Sequence, residues 1–219
     1  MAFRDLTQGS VPRNILRLAL PVLAFFVMQS LYTLADLYFV GLLGGAPLAG
    51  LAIAANVFFL VLALGRTIGV GALAVLSQAY GGGHHQRVTA AFRQALALVL
   101  VLGGGGWILG YLATDAYFGF LTQDPRVHAE GAAYLRIFAA TILLQLFLMV
   151  NGFAWRALGD FHTPTLLMGG SVLLNLALDP LLIFGWGPVP ALGIAGAAWA
   201  TVTSQAAACL VFLWLIFFG

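Results

Sequence analysis

Hydrophobic positions in this chain form long continuous runs, separated by short segments that contain glycine, proline or charge. Six runs reach the roughly 20 helical residues that a bilayer core of about 30 Å requires. Backbone groups in lipid must be hydrogen-bonded within the protein, and uninterrupted runs favour helices over the alternating strands of a barrel. The predicted spans are residues 15–43, 47–78, 94–114, 134–156, 164–184 and 193–218.

Composition supports a membrane location. Hydrophobic residues make up 62% of the chain and charged residues 7%, against roughly 25% charged residues in an ordinary soluble domain. We therefore predict an all-α membrane protein, with residues 1–219 forming one six-transmembrane-helix bundle in the cell (inner) membrane. The first run is too long for a signal peptide, so we expect it to be retained. The net charge of +2 is too small to indicate a nucleic-acid partner.

Arginine positions predict the orientation. All nine basic residues are arginine, and they are concentrated at the amino terminus and in the second and fourth connections: Arg4, Arg13, Arg17, Arg87, Arg93 and Arg156. The first and fifth connections have none, and acidic residues offset the two arginines in and after the third. Because arginine-rich connections stay in the cytoplasm, we expect both termini to be cytoplasmic.

Three charged residues lie inside predicted spans and away from the span ends: Asp36, Arg66 and Asp179. Each costs at least ~2.5 kcal/mol near the bilayer centre, so each is a candidate functional residue. The two acids lie at similar distances from the outer ends of spans one and five, and Asn175 lies one helical turn before Asp179. Thr201 lies at a comparable level in span six. We therefore expect these side chains to face one another inside the bundle.

The residue types at this level allow three interpretations. Carboxylate, amide and hydroxyl oxygens are ligands that a hard cation such as Na⁺ prefers. Two neighbouring carboxylates in a low dielectric also favour sharing a proton. Alternatively, Asp36 and Asp179 only bond neighbouring helices. Tyr32, one turn before Asp36, extends the polar set.

Arg66 and Asn151 have several possible roles. Arg66 lies near the middle of span two, where it either lines an aqueous path, snorkels, pairs with an acid or is neutralised by carbonyls and water. Asn151 in span four either lines a cavity or joins helices. Pro21 in span one and Pro180 directly after Asp179 can each kink a helix.

Five segments resemble the multidrug and toxic compound extrusion (MATE) family, and together they cover the chain from about residue 10 to its end. They are Leu20-Pro21 with residues 31–36 and 39–41, residues 75–81, residues 151–153 with 156–160, residues 175–180, and residues 193–201. The Asn-x-x-x-Asp spacing of Asn175 and Asp179 is similar to the branch that contains the DNA-damage-inducible transporters. Two residues depart from the family pattern. Leu42 follows Gly41 at a position where the family often has an arginine or a similar polar residue, and Arg66 is unusual in span two.

The resemblance implies a twelve-helix antiporter made of two six-helix lobes, which exports organic cations and other amphipathic small molecules in exchange for Na⁺ or protons. It also implies a cation site, with Na⁺ possible, at Asp36, Asn175, Asp179 and Thr201. Pro21 would be the bending point of span one, and Asn151 would lie near the cavity. No cofactor is expected besides the coupling ion, and a second six-helix lobe, from the same or another chain, is an expected partner.

Three other functions compete with transport. A flippase for lipid-linked substrates, from a related superfamily, would need cavity arginines to hold phosphates, and only Arg66 supports it. A truncated, non-transporting bundle would act only by binding a partner. An intramembrane enzyme would need a nucleophile with a base, or a metal cluster, and the predicted spans contain no histidine. We therefore predict that the chain is not an enzyme.

Overall fold

The computed structural model describes residues 11–218, except for the side chains at positions 11–14, 17, 18, 21 and 25. Within this range the chain forms seven helices: α1 (Val11–Gly41), α2 (Gly45–Gly81), α3 (His85–Leu121), α4 (Pro125–Phe138), α5 (Ala140–Ala157), α6 (His162–Phe184) and α7 (Ile194–Phe218). Six of them, all except α4, are long and apolar enough to cross a membrane. The prediction of an all-α, six-span bundle is confirmed.

The helix boundaries follow from local sequence. Gly44, Gly83, Gly159 and Gly185 adopt positive φ angles in the connections after α1, α2, α5 and α6, a conformation that favours glycine. Asp124 caps α4, since its side chain accepts a hydrogen bond of 2.8 Å from the backbone N–H of Arg126, and proline occupies the first helical position.

Two helical regions differ from the predicted spans. The third helix extends beyond residues 94–114 at both ends. The predicted span 134–156 is divided at Ala139 into α4 and α5, although Ala139 itself keeps a helical backbone conformation, with φ of −54° and ψ of −32°. The hydrophobic pattern did not reveal α4 because its first half, with Arg126, His128 and Glu130, is polar.

Helix packing places the polar residues of α1, α6 and α7 together. Helix α1 packs mainly on α6, α6 on α7, α2 on α5 and α4, and α4 on α7. The α6–α7 contact is close because Gly196 lies directly against the backbone carbonyl of Leu182, where a larger residue would clash. Gly50 and Gly131 allow a similarly close approach of α2 and α4.

Candidate functional site

The carboxyl groups of Asp36 and Asp179 contact each other at the interface of α1 and α6. The two residues are 9% and 0% exposed, so both side chains point into the protein and not toward lipid. Two like charges in direct contact and away from water repel each other strongly. The pair therefore favours a state in which a proton or another cation lies between the two groups.

Hydrogen bonds satisfy only part of this polar cluster. Asn175 donates from Nδ2 to Oδ1 of Asp179 over 3.3 Å, one helical turn along α6. Asp36 Oδ1, Asp179 Oδ2 and Asn175 Oδ1 are buried and accept no hydrogen bond from the described residues. A buried polar atom without a partner costs about 1–3 kcal/mol. Three such oxygens at one place form a favourable environment for a cation.

Tyr32 connects the carboxylate pair to α7. Its hydroxyl lies 3.4 Å from Oγ of Ser204 and also contacts Thr201, and it is an electrostatic neighbour of Asp36 and Asp179. Thr201 uses its hydroxyl proton to bond the Ala197 carbonyl over 3.0 Å, so its oxygen remains an acceptor toward the cluster. The four residues predicted as a cation site therefore lie in one buried region of α1, α6 and α7.

Tyr134 of α4 forms the remaining side of the cluster. It is buried, its hydroxyl is an electrostatic neighbour of Asp36, Tyr32 and Asp179, and its ring stacks on Phe138 with centroids 5.3 Å apart. Sequence reasoning missed Tyr134, since it begins a predicted span and no spacing rule relates it to the distant acids of α1 and α6.

A cavity of about 300 Å³ lies beside the carboxylate pair and shares Tyr32 with it. Its volume is at the lower end of the range for small-molecule sites. Aromatic, amide and arginine side chains line it together with aliphatic ones: Phe26, Gln29, Tyr32, Thr33, Phe58, Arg66, Val70, Gln145, Leu148, Met149, Gly152, Phe153, Arg156, Pro164, Leu167, Met168, Ser171, Gln205, Ala208 and Phe212.

The predicted cavity and gating residues occupy different places. Tyr32 and Arg66 line the cavity. Asn151 does not: it is fully buried in α5, and its Nδ2 donates to the Phe147 carbonyl over 2.8 Å, although the next residue, Gly152, is at the cavity wall. The side chain of Pro21 lies outside the described residues.

Ser204 and Gln205 of α7 also belong to this region. Ser204 contacts Tyr32, and Gln205 donates from Nε2 to Oε1 of Gln145 over 2.9 Å, joining α7 to α5 at the cavity wall. Sequence reasoning had not assigned either residue to the site. Their helical spacing from Thr201 is the signal that places them on the same face of α7.

Comparison with known proteins identifies relatives of the whole chain. The family model MatE matches residues 21–181. The chain is 30% identical over 203 residues to the FAD transporter of Shewanella oneidensis, covering 91% of this chain and 44% of that relative. It is 32% identical over 209 residues to the probable multidrug resistance protein YoeA of Bacillus subtilis, covering 94% of this chain and 45% of that relative. The chain thus spans about half the length of the curated relatives it matches.

Solved structures give the same result for the fold. A MOP superfamily transporter from Pyrococcus furiosus superposes with a TM-score of 0.88 at 28% identity, covering 97% of this chain and 46% of that chain. A MATE crystal structure in the bent conformation superposes with a TM-score of 0.87 at 28% identity, covering 97% of this chain and 47% of that chain. The six-span bundle therefore has the architecture of about one half of a MATE transporter, and the reported relatives are named as transporters or resistance proteins, not as enzymes. Because the MatE family model matches residues 21–181, which are most of this chain, the chain belongs to the MATE family.

Proposed function

We propose that this chain is one lobe of a cation-coupled antiporter that exports amphipathic small molecules across the cell membrane. The observation that carries the proposal is the buried contact between Asp36 and Asp179, with three acceptor oxygens that have no donor among the described residues. A purely structural pair of helix contacts would not bring two like charges together in the interior.

The coupling ion binds at this cluster in the proposed mechanism. Asp36 and Asp179 supply carboxylate oxygens, Asn175 an amide oxygen and Thr201 a hydroxyl oxygen, a ligand set that suits Na⁺, while the carboxylate pair alone can share a proton. Because Asp36 is on α1 and the other three are on α6 and α7, cation binding draws α1 toward α6 and α7. A change in the position of α1 is the conformational response that binding favours.

Tyr32 couples the ion to the substrate in this proposal. Its hydroxyl is part of the carboxylate cluster, and the residue also forms part of the cavity wall. A shift of α1 on cation binding would therefore change the cavity directly. Substrate and cation would thus favour different positions of α1, so that binding of one would weaken binding of the other. Exchange transport requires this coupling.

The complete transporter requires a second six-helix lobe, which comes either from another copy of this chain or from a different chain. Support comes from the relatives, which are about twice as long. Two chains per particle in native mass spectrometry would identify the pair as a homodimer.

We further propose that both termini face the cytoplasm, as the arginine distribution predicts.

Efflux by substituted chains tests the proposed function. Asp36→Asn and Asp179→Asn each keep side-chain size and remove one charge, so we expect export of a panel of fluorescent anionic and cationic amphipaths from expressing cells to fall to background. Asp124→Asn is the matched control, since asparagine also caps helices and residue 124 lies away from the cavity. Wild-type efflux in both interior variants would refute the proposal.

A further inference from the structure

The cavity beside the carboxylate pair has a positive charge, which bears on the substrate. Two of its lining residues are arginines, Arg66 of α2 and Arg156 at the end of α5, and none of the lining residues that the structure describes is an aspartate or a glutamate. Asp36 and Asp179 are not at the wall, and Tyr32 stands between them and the cavity. An organic cation would thus meet the guanidinium of Arg66, which has no carboxylate within ion-pair distance among the described residues.

Arg66 is available to a ligand. It lies near the middle of α2, it is exposed at the cavity, and no carboxylate among the described residues 11–218 is within ion-pair distance of it. The ion pairs among residues 11–218 are those of Asp115 with Arg136 and with His128. A guanidinium at this depth is costly unless an anion or water compensates it.

The packing of α2 on α5 places the ring of Phe153 one helical turn from Arg66 along α2 and beside Arg156. Gly69, one turn after Arg66, lies directly against the ring of Phe153, which fills the space that a side chain at position 69 would need. The guanidinium carbon of Arg156 lies 5.7 Å from the centroid of the same ring. Arg66, Phe153 and Arg156 therefore line the cavity on its α2–α5 side, and an aromatic surface is available near the positive charge.

From this arrangement we infer that the cavity takes amphipathic anions: planar aromatic molecules that carry a carboxylate, sulfonate or phosphate group. The inference rests on the proposed transport function and specifies its substrate class. Guanidinium groups bind such anions through two parallel hydrogen bonds. The rings of Phe58, Phe153 and Phe212 cover the aromatic part, and Gln145 and Gln205 bind its polar edges.

Amphipathic anions are not the organic cations that the family resemblance names first among the expected substrates. Arg66 is the reason: an anion compensates its guanidinium charge, which no carboxylate among the described residues balances, whereas a cation is repelled by it. Arg66 is the specificity-determining residue, because it supplies a charge in the middle of a span where the apolar pattern of α2 would otherwise place a neutral side chain.

Binding of two matched probes tests the inference without any ion gradient, so its failure can be distinguished from a failure of transport. The probes are 4-(1-pyrenyl)butyrate and the 4-(1-pyrenyl)butyl-trimethylammonium cation, which share the ring and differ in charge. They are titrated by fluorescence into the purified chain in phosphatidylcholine nanodiscs, with empty nanodiscs as background. We expect the anion to bind more tightly than the cation by about tenfold or more, the range of one charge-assisted hydrogen bond.

Substitutions of Arg66 show whether the preference arises at this residue. We expect Arg66→Gln to weaken anion binding by about tenfold to a hundredfold and to leave the affinity for the cation unchanged or higher. Arg66→Lys, which keeps the charge but not the two parallel hydrogen bonds, should bind the anion more weakly than wild type and more tightly than Arg66→Gln, and Arg87→Gln, outside the cavity, should behave as wild type. Tighter binding of the cation by the wild-type chain, or an equal change for both probes in Arg66→Gln, would overturn the inference.

Adding phosphatidylglycerol to the nanodiscs distinguishes two sources of the anion. Competition between this lipid and the anionic probe would support the anion site and identify a lipid headgroup as an occupant. Anion binding that is insensitive to the lipid would support the site and assign it to soluble amphipaths.

Discussion

Removing one carboxylate of the buried pair should make the chain more stable when no coupling cation is bound. Two unit charges about 4 Å apart interact with about 4 kcal/mol at an effective dielectric constant of about 20. Asp36 and Asp179 are in contact and nearly fully buried, so this repulsion is poorly screened. For a chain of this size, about 4 kcal/mol corresponds to a rise in melting temperature on the order of 10 °C.

The single cysteine of the chain provides the assay. Cys209 is buried in α7, with its thiol 3.7 Å from the Leu144 carbonyl, so a thiol-reactive fluorophore reports unfolding when the thiol becomes accessible. We expect Asp36→Asn to melt at a higher temperature than wild type in sodium-free buffer at alkaline pH, where the carboxylate pair no longer shares a proton. We also expect wild type to be stabilised by the coupling cation, and the variant to lose that response.

Asp124→Asn removes an acid of the same type from an exposed helix cap and should leave both the melting temperature and the cation response unchanged. If wild type shows no response to Na⁺ or to protons, or if Asp36→Asn responds as wild type does, the two carboxylates do not form a cation site.

Three further substitutions test other parts of the structure. Tyr32→Phe removes the hydroxyl that contacts Ser204, so we expect a loss of about 0.5–1.5 kcal/mol of stability by thermal unfolding and weaker coupling of efflux to the cation. Gly196→Val should lower the melting temperature strongly or prevent folding, since its side chain would clash with the α6 backbone, whereas Gly71→Ala, with open space around it, should be tolerated. Asp124→Ala should cost about 1 kcal/mol through loss of the α4 cap, and Asp124→Asn should restore it in the same assay.

The long helices and the depth of the two acids could be predicted from sequence because both follow from one-dimensional periodicity. A run of about 20 apolar residues must cross the lipid, and an acid within it must face protein. Asp36 and Asp179 lie at similar distances from the outer ends of their spans, and the structure brings them into contact. The branch within the family, the sodium or proton dependence and the role of Pro21 stay predictions.

The remaining features depend on which helices pack together, which periodicity does not determine. Tyr134 joins the cluster because α4 packs on α7, and Arg156 joins Arg66 at the cavity because α5 packs on α2. Asn151 was expected near the cavity, yet its side chain bonds the Phe147 carbonyl inside α5, and Gln145 of the same helix lines the cavity instead. The polar first half of α4 concealed that helix from a hydropathy-based prediction.

Gradient-driven transport in proteoliposomes is the most direct test that the buried carboxylate pair couples a cation to export. The purified chain is reconstituted with a fluorescent amphipathic anion enclosed, and a sodium or proton gradient is then imposed. The account predicts dye efflux that requires one of these gradients and that disappears in Asp36→Asn. Dye movement of equal rate with and without a gradient, or in wild type and Asp36→Asn alike, would contradict it.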